Sequence, residues 1–413
     1  MLRLVLGAGA VLSPLAQPLL KRRLKRGKED PARWREKLGE ATAKRPDGLL
    51  VWIHGVGVGE VMALRGLIER LSLERADLNF LVTSSARSSG DVFARNLPPR
   101  TQHQYLPLDL PAPVTRFLDH WRPDLAVWSD QEVWPRLAVT SARRAIPQAY
   151  VAARITDASA KARARFGSAY GDLYRLLDTR HAQDPGTAAH LSALMGDDTP
   201  VAVTGSIKAS GAPLADNPAL RAKLPDDRAI WLVASAHPTD MEVAVASHAA
   251  LSKAGEDQLL IIAPRRMETV TALEQICNKH GMTHTKRSGG NWPRPDTQVF
   301  IADSFGELGV WYRAAQVALI GGTFDATEGH NPWEAVALDC AVIHGPRTAN
   351  FATDFAQLGA ADACSAVTDH ASLAAALSTP DLSAMINRAR AVRLDAALGL
   401  DRITTDLLAL LKV

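Results

Sequence analysis

Short apolar runs, each closed by glycine or a small polar turn and followed by a helix-length stretch, recur along nearly the whole 413-residue chain. In the first half they fall at residues 49–54, 78–83, 105–109, 125–128, 148–152 and 201–203. In the second half they fall at 230–234, 259–263, 297–302, 317–320 and 341–343. Most are apolar at every position instead of alternating, so both faces of each strand are to be covered. Strands buried on both faces, with helices between them, make a parallel sheet. The rhythm pauses over residues 210–227, a stretch of Ala, Pro, Asp and Lys without apolar periodicity. A chain of this length exceeds one ordinary core. The expected architecture is α/β, with two doubly wound Rossmann-like domains facing a cleft. Residues 29–210 form the first, 211–227 the linker and 228–413 the second. A charged helical segment is expected over 29–44 and a closing helical segment over 383–411.

Composition narrows the class. With 47% hydrophobic and 22% charged residues, the chain is that of a globular protein. Its net charge of +3 argues against a dedicated nucleic-acid binder. Cys277, Cys340 and Cys364 are too far apart for a metal signature or a disulfide framework, and they fit a reducing compartment. The charge is concentrated at the start, where Lys21-Arg-Arg-Leu-Lys-Arg-Gly-Lys28 holds six basic residues and no acid. Before it, residues 4–20 are uncharged and mostly apolar. That run is shorter than the about 20 residues a span needs, and Pro14 and Pro18 interrupt it. A cleaved signal would carry its basic residues first. Apolar-then-basic order suits an uncleaved anchor, residues 1–28, whose cations face anionic lipid on the cytoplasmic side. A soluble amphipathic helix with a solvated basic face is the plainer alternative.

In doubly wound sheets, ligands bind at the carboxyl ends of strands, and several such corners carry chemistry here. His54-Gly-Val-Gly-Val-Gly-Glu60 closes the first run, and Glu60 falls in the first turn of the following helix. An ionised carboxylate there can take a proton from an attacking hydroxyl. A lone first-turn glutamate more often only complements the helix dipole. A dinucleotide fingerprint is discounted, because position 62 is Met and no acid closes the second strand. Asp130 and Glu132 follow the fourth run, Lys208 follows the sixth, and Arg265 and Arg266 follow Pro264. Isolated cations are usually surface residues. Cations at successive strand ends facing one cleft read better as an anion site. Phe305-Gly306-Glu307 can offer backbone N–H groups and a carboxylate to a nucleotide. In Asn331-Pro332-Trp333-Glu334, Asn331 can cap a helix that starts at Pro332, its N-terminus can hold a phosphate, and Glu334 can reach ribose hydroxyls. A plain capped helix is the competing account. No Gly-x-x-x-x-Gly-Lys loop and no acidic cluster for a divalent ion is present.

Taken in order, these motifs resemble the Kdo (3-deoxy-D-manno-octulosonic acid) transferases. The resemblance runs from Arg26-Gly-Lys-Glu-Asp-Pro-Ala-Arg33 and Glu36-Lys-Leu-Gly39 through Val58-Gly-Glu60, Tyr105-Leu-Pro-Leu-Asp109, Glu132-Val-Trp-Pro135 and Ala153-Arg154. It continues through Gly205-Ser-Ile-Lys208, Pro264-Arg265, Gly306-Glu-Leu308, Gly329-His-Asn-Pro-Trp-Glu334 and Gly345-Pro346. It implies a GT-B glycosyltransferase, inverting and metal-independent, without a cofactor, at the cytoplasmic side of the inner membrane. The donor would be CMP-Kdo and the acceptor a hydroxyl of a lipid A precursor, lipid IVA. By the same resemblance Glu60 is the general base, and Asp130 and Lys208 act near the transition state. Pro264, Arg265, Phe305, Gly306, Glu307, Asn331, Pro332, Trp333 and Glu334 hold CMP.

The chain departs from the family pattern at named places. Asp130-Gln131-Glu132 stands where Glu-Thr-Glu is usual, and Gly57 where a serine is usual. Ser235-Ala-His-Pro-Thr-Asp-Met241 replaces Ser-Thr-His-x-Gly-Glu-Glu, Pro264-Arg-Arg-Met-Glu-Thr269 replaces Pro-Arg-His-Pro-Glu-Arg, and Glu328 stands at a common glycine. Two other readings are a GT-B transferase or epimerase using a different nucleotide sugar, and an inactive membrane-surface paralogue.

Overall fold

The structure, a computed structural model, describes residues 2, 6–7, 13–94, 97–196, 199–211, 213–378 and 381–411, with only the backbone of 58–60, 62 and 92. The chain divides into two compact units, one of residues 1–210 with 396–413 and the other of residues 211–395.

The first unit is built on seven strands: β1 (Leu50–His54), β2 (Asn79–Ser84), β3 (Thr101–Tyr105), β4 (Leu125–Ser129), β5 (Gln148–Ala153), β6 (Thr179–Ala182) and β7 (Ala202–Val203). Their order is β3-β2-β1-β4-β5-β6-β7, and every pairing is parallel. Side chains alternate between the two faces of a strand, and β1 shows why an unbroken apolar run is required. Val51 and Ile53 pack into one core with Val61, Leu64, Leu67, Ile68 and Leu71 of helix α2 (Val58–Glu74). Leu50 and Trp52 pack into the other with Val114, Phe117, Leu118 and Trp121 of helix α3 (Pro111–Trp121).

The second unit repeats the plan with β8 (Ala229–Ala236), β9 (Gln258–Pro264), β10 (His284–Lys286), β11 (Val299–Ile301), β12 (Val317–Ile320), β13 (Ala341–His344) and β14 (Cys364–Ala366). Their order is β10-β11-β9-β8-β12-β13-β14, again all parallel. Trp231, Val233, Leu260, Ile262 and Leu319 pack under Met241, Ala244 and Val245 of helix α4 (Pro238–Lys253). In each sheet the strand order reverses beside the first strand, between β1 and β4 and between β8 and β12. Those reversals create the crevices where such sheets bind ligands.

Several expectations need correcting. Residues 29–44 are not a helix: only a 3-10 turn, Trp34–Leu38, forms there. It is fixed by the fully buried Glu36, whose carboxylate accepts from Tyr105 N at 2.8 Å and Arg33 Nε at 2.9 Å. The third strand lies at 101–105, ahead of the Pro-containing 105–109. Strands β6, β10 and β14 lacked an apolar signal because they are short and partly polar. Residues 211–227 belong to the second unit. There Gly309 meets them so closely that a Cβ on it would lie 2.2 Å from Ala215 O.

The closing helix α6 (Leu382–Leu410) is not wholly part of the second domain. From Ala396 onward it returns to the first unit, where Leu400, Ile403, Leu407 and Leu411 complete the core over β1. Gly399 permits that return, since a Cβ there would stand 1.8 Å from Thr204 O. At the other end, helix α1 (Ala16–Lys25) carries the basic cluster, with Leu15 and Leu19 more than half exposed. Residues 1, 3–5 and 8–12 of the expected anchor lie outside the described residues. Among the described residues no helix is long and apolar enough to cross a membrane.

Candidate active site

At the reversal in the first unit, Ser129 Oγ donates to His54 O at 2.6 Å and ties the ends of β4 and β1 together. The next residue, Asp130, sits at φ +57, a left-handed conformation that short polar side chains tolerate better than most. Three bonds impose it. Asp130 N donates to Val151 O (3.3 Å), and Asp130 O accepts from Tyr150 Oη (2.8 Å) and Arg154 N (2.9 Å). The turn aims a carboxylate only 4% exposed at two cations: Arg154 Nε is 3.2 Å from Oδ1 and Lys208 Nζ is 4.0 Å from Oδ2. The two expected residues Asp130 and Lys208 are thus brought together. Arg154 completes the cluster, a role that no strand-end pattern announced.

Glu60 lies in the first turn of α2, where Val61 N donates to Gly57 O at 3.0 Å. Its side chain lies outside the described residues. His54, fully buried, closes β1 with Nδ1 3.0 Å from Thr83 Oγ1 and 3.1 Å from Thr83 O. Its Nε2 stands 3.9 Å from Glu132 Oε2.

At the reversal in the second unit a different carboxylate organises the corner. Asp240, fully buried, accepts from three backbone N–H groups: His237 at 2.9 Å, Gly322 at 2.6 Å and Phe324 at 3.0 Å. Burial pushes its carboxyl up, and the three N–H groups pull it back. It thereby locks the loop after β12 to the start of α4. Gly321 crosses β8 so closely that a Cβ would lie 2.3 Å from Ser235 O. The following loop folds back, with Gly329 N on Gly322 O (2.8 Å) and His330 N on Gly321 O (3.1 Å).

This fold-back brings His330 Nε2 to 2.9 Å from His237 Nε2. Burial, then the charge of Arg265, lowers His330 to about 4, which keeps it neutral at pH 7. Arg265 itself is placed by its N–H on Ala236 O (2.9 Å), beyond the buried Pro264, and its side chain is exposed. Glu334 stands near enough for Arg265 to lower its pKa. Burial is the larger effect and pushes the carboxyl up to about 7. A solvent-facing cation, the neutral imidazole of His330 and a carboxyl that gains or loses its proton near neutrality form a corner suited to an anionic, hydroxyl-bearing ligand.

The remaining expected positions divide. Phe305 is 79% exposed beside Gly306 at φ +80, so a face and a backbone turn are offered outward. Glu307 is already engaged: Arg287 grips it at 2.8 and 3.1 Å and Ser304 Oγ at 2.5 Å. Trp333 is buried with its indole N–H on Asp354 Oδ1 (2.7 Å), a packing role. Helix α5 (Trp333–Val336) has four residues and starts one later than expected. Pro332 precedes it, and Asn331 Oδ1 accepts from Trp333 N at 3.1 Å. So short a helix aligns few peptide dipoles. His237, Asp240 and His330 were not singled out individually, although His237-x-x-Asp240 after a strand is a capping pattern.

Glu328, at the position where the family commonly has glycine, adopts φ +62. It is held by an ion pair with Arg347 and by Asn350 N on its carbonyl (3.0 Å). Among the described residues no group of three His, Cys, Asp or Glu side chains is placed to hold a metal ion.

Comparison with known proteins fits this arrangement. The family model described as 3-deoxy-D-manno-octulosonic-acid transferase (kdotransferase) matches residues 32–210. A probable mitochondrial 3-deoxy-D-manno-octulosonic acid transferase of Arabidopsis thaliana is 31% identical, over 82% of this chain and 78% of the relative. The 3-deoxy-D-manno-octulosonic acid transferase of Haemophilus influenzae is 30% identical, over 78% of this chain and 75% of its own. Among solved structures, a putative UDP-N-acetylglucosamine 2-epimerase from Listeria monocytogenes aligns with a TM-score of 0.55 at 14% identity, covering 87% of this chain and 95% of that one. A glycosyltransferase from Rickettsia africae aligns at 0.54 and 13%, covering 89% and 100%. Those two establish the GT-B fold and no more. Sequence kinship over most of the chain decides the rest: the chain is a glycosyltransferase belonging to the 3-deoxy-D-manno-octulosonic acid (Kdo) transferase family.

Proposed function

We propose that the chain transfers Kdo from CMP-Kdo to a hydroxyl of a lipid A precursor, lipid IVA, with inversion at the anomeric carbon and without metal or cofactor. Family membership supports the reaction. The observation that supports the assignment of roles is the buried Asp130 held between Arg154 and Lys208 at the end of β4. Glu60 takes the proton of the acceptor hydroxyl. The hydroxyl oxygen forms its bond to the anomeric carbon as the bond from that carbon to the CMP phosphate oxygen breaks, and the electron pair leaves on CMP. Positive character grows on the sugar while negative charge gathers on the phosphate. Preorganised cations and a carboxylate stabilise both changes without reorganising at the moment of reaction. Lys208 and Asp130 act there. Arg265, with Pro264, the 305–307 turn and the 331–334 corner, holds CMP. Within these groups, Arg265, Phe305, Gly306 and Glu334 make the ligand contacts, and Glu307, Asn331, Pro332 and Trp333 shape the backbone around them.

The cationic helix α1 places the enzyme on anionic lipid at the cytoplasmic face of the inner membrane, where a lipid acceptor resides. In the decisive experiment, Glu60→Ala abolishes transfer from CMP-Kdo to lipid IVA, read as a product mass spectrum, while CMP binding stays nearly intact. Retained transfer would remove Glu60 as the base, and a wild type inactive with CMP-Kdo would remove the donor.

A further inference from the structure

Beside the Asp130 cluster the first unit holds two buried polar atoms without a hydrogen-bond partner among the described residues: His54 Nε2 and Glu132 Oε2. Buried polar atoms are nearly always paired, so two such atoms 3.9 Å apart mark a feature with a purpose. The imidazole cannot turn to another partner. It is fully buried, its other nitrogen is tied to Thr83 of β2, and Trp128 packs against it edge-on with ring centres 6.0 Å apart. Thr83 is itself pinned by Trp52 Nε1 at 2.9 Å. Glu132 is the opposite kind of residue: its side chain is 38% exposed while Oε2 points inward. The cations of this corner serve Asp130, and the one ion pair described for Glu132 is with His54. In the tautomer whose Nδ1 accepts from Thr83 Oγ1, Nε2 carries the proton, and a shift of about 1 Å or one bridging hydroxyl lets it donate to Glu132.

We propose that Glu132 binds a hydroxyl of the sugar acceptor with its outward oxygen, and that His54 is the positioning residue that fixes it by the inward one. This rests on the transferase reading above and adds to it an acceptor-specificity residue. The chemistry suits a polyhydroxylated ligand. A carboxylate is an acceptor only, so it selects an O–H donor and repels the anionic donor sugar nucleotide. An immobile imidazole behind it removes the rotamer freedom that a half-exposed glutamate would otherwise have, which is how supporting contacts sharpen a site.

The test is two-substrate kinetics on the full chain with Glu132→Gln, His54→Gln and the double variant, together with equilibrium binding of detergent-dispersed lipid IVA. Glu132→Gln raises the KM for lipid IVA about tenfold and leaves the KM for CMP-Kdo within about twofold. His54→Gln raises it roughly fivefold, and the double variant is no worse than Glu132→Gln alone, because the two act as one unit. The inference is overturned if the acceptor KM of Glu132→Gln stays near the wild-type value, if both KM values rise together, or if the two single losses multiply. Should His54→Gln unfold, as thermal melting would show, Glu132→Gln on the exposed side still decides. The binding arm separates failures. A wild type that binds lipid IVA but transfers nothing refutes the transferase reading, and loss of that binding in Glu132→Gln still upholds the role of Glu132. Unchanged binding rejects it, and a wild type without affinity for lipid IVA rejects both.

Discussion

The two strand-order reversals place a buried aspartate at the same kind of corner and neutralise it by opposite means. In the first unit Asp130 is met by side-chain cations, Arg154 and Lys208. In the second, Asp240 is met by the backbone alone, through the N–H groups of His237, Gly322 and Phe324. A cation 4.0 Å from its carboxylate still has charge to offer a ligand, whereas an N–H group inside a buried bond has nothing to spare. On the proposed reading the first corner is the one arranged for chemistry, and the second holds a loop in shape while Arg265 and Glu334 are left for the ligand.

Substitutions can break that contrast. The largest effect is expected at Lys208: Lys208→Ala lowers kcat roughly 10²–10³-fold, as loss of one preorganised transition-state contact does, and leaves CMP affinity unchanged by calorimetry. Asp240→Ala should act on the frame instead, stranding three buried N–H groups at a cost of about 3 kcal/mol, read as a fall of roughly 6–12 °C in the melting temperature of the second unit. A kinetic loss at Asp240 without melting, or melting at Lys208 without kinetic loss, would reverse the two roles.

Glu334 sharpens the contrast through pH. Its carboxyl is raised in the fold from 4.5 to about 7, so the folded state holds a proton that the unfolded chain has released. Its contribution is complete below about pH 4.5 and is lost as pH rises to 7. Thermal melts from pH 4 to 8 should show the wild type losing ground to Glu334→Gln across that window, and parallel curves would reject the shift. The smallest effect is expected at Glu328: Glu328→Gly relieves the left-handed strain and loses one half-exposed ion pair, a net gain of about 0.5 kcal/mol or less in denaturant melts.

The sheets were legible because their central strands must be apolar on both faces, as Leu50, Val51, Trp52 and Ile53 are. The edge strands β10 and β14 escaped notice for the converse reason. His284–Lys286 is flanked on one side only and tolerates polar residues. The candidate site was legible where acids and cations recur at successive strand ends, as with Asp130 and Lys208, which the fold brings to 4.0 Å of each other. It was illegible where function depends on a partner distant in sequence. Arg154 on Asp130, Arg287 on Glu307 and His330 on His237 are contacts that only the folded sheets create. Glu328 lay between the two: the missing glycine was visible, and its φ of +62 supplies the physical reason that glycine is favoured there.

The return of the last helix to the first unit has a consequence for synthesis. Residues 211–395 form one uninterrupted stretch and can close their core as soon as they have left the ribosome. Residues 1–210 emerge earlier yet must wait, because Leu400, Ile403 and Leu407 over β1 are made after the whole second unit. The unit that begins to emerge before the other is finished after it. Until then the β1 face that ends at His54 has an open apolar side, an interval during which a chaperone or the membrane surface would find it exposed.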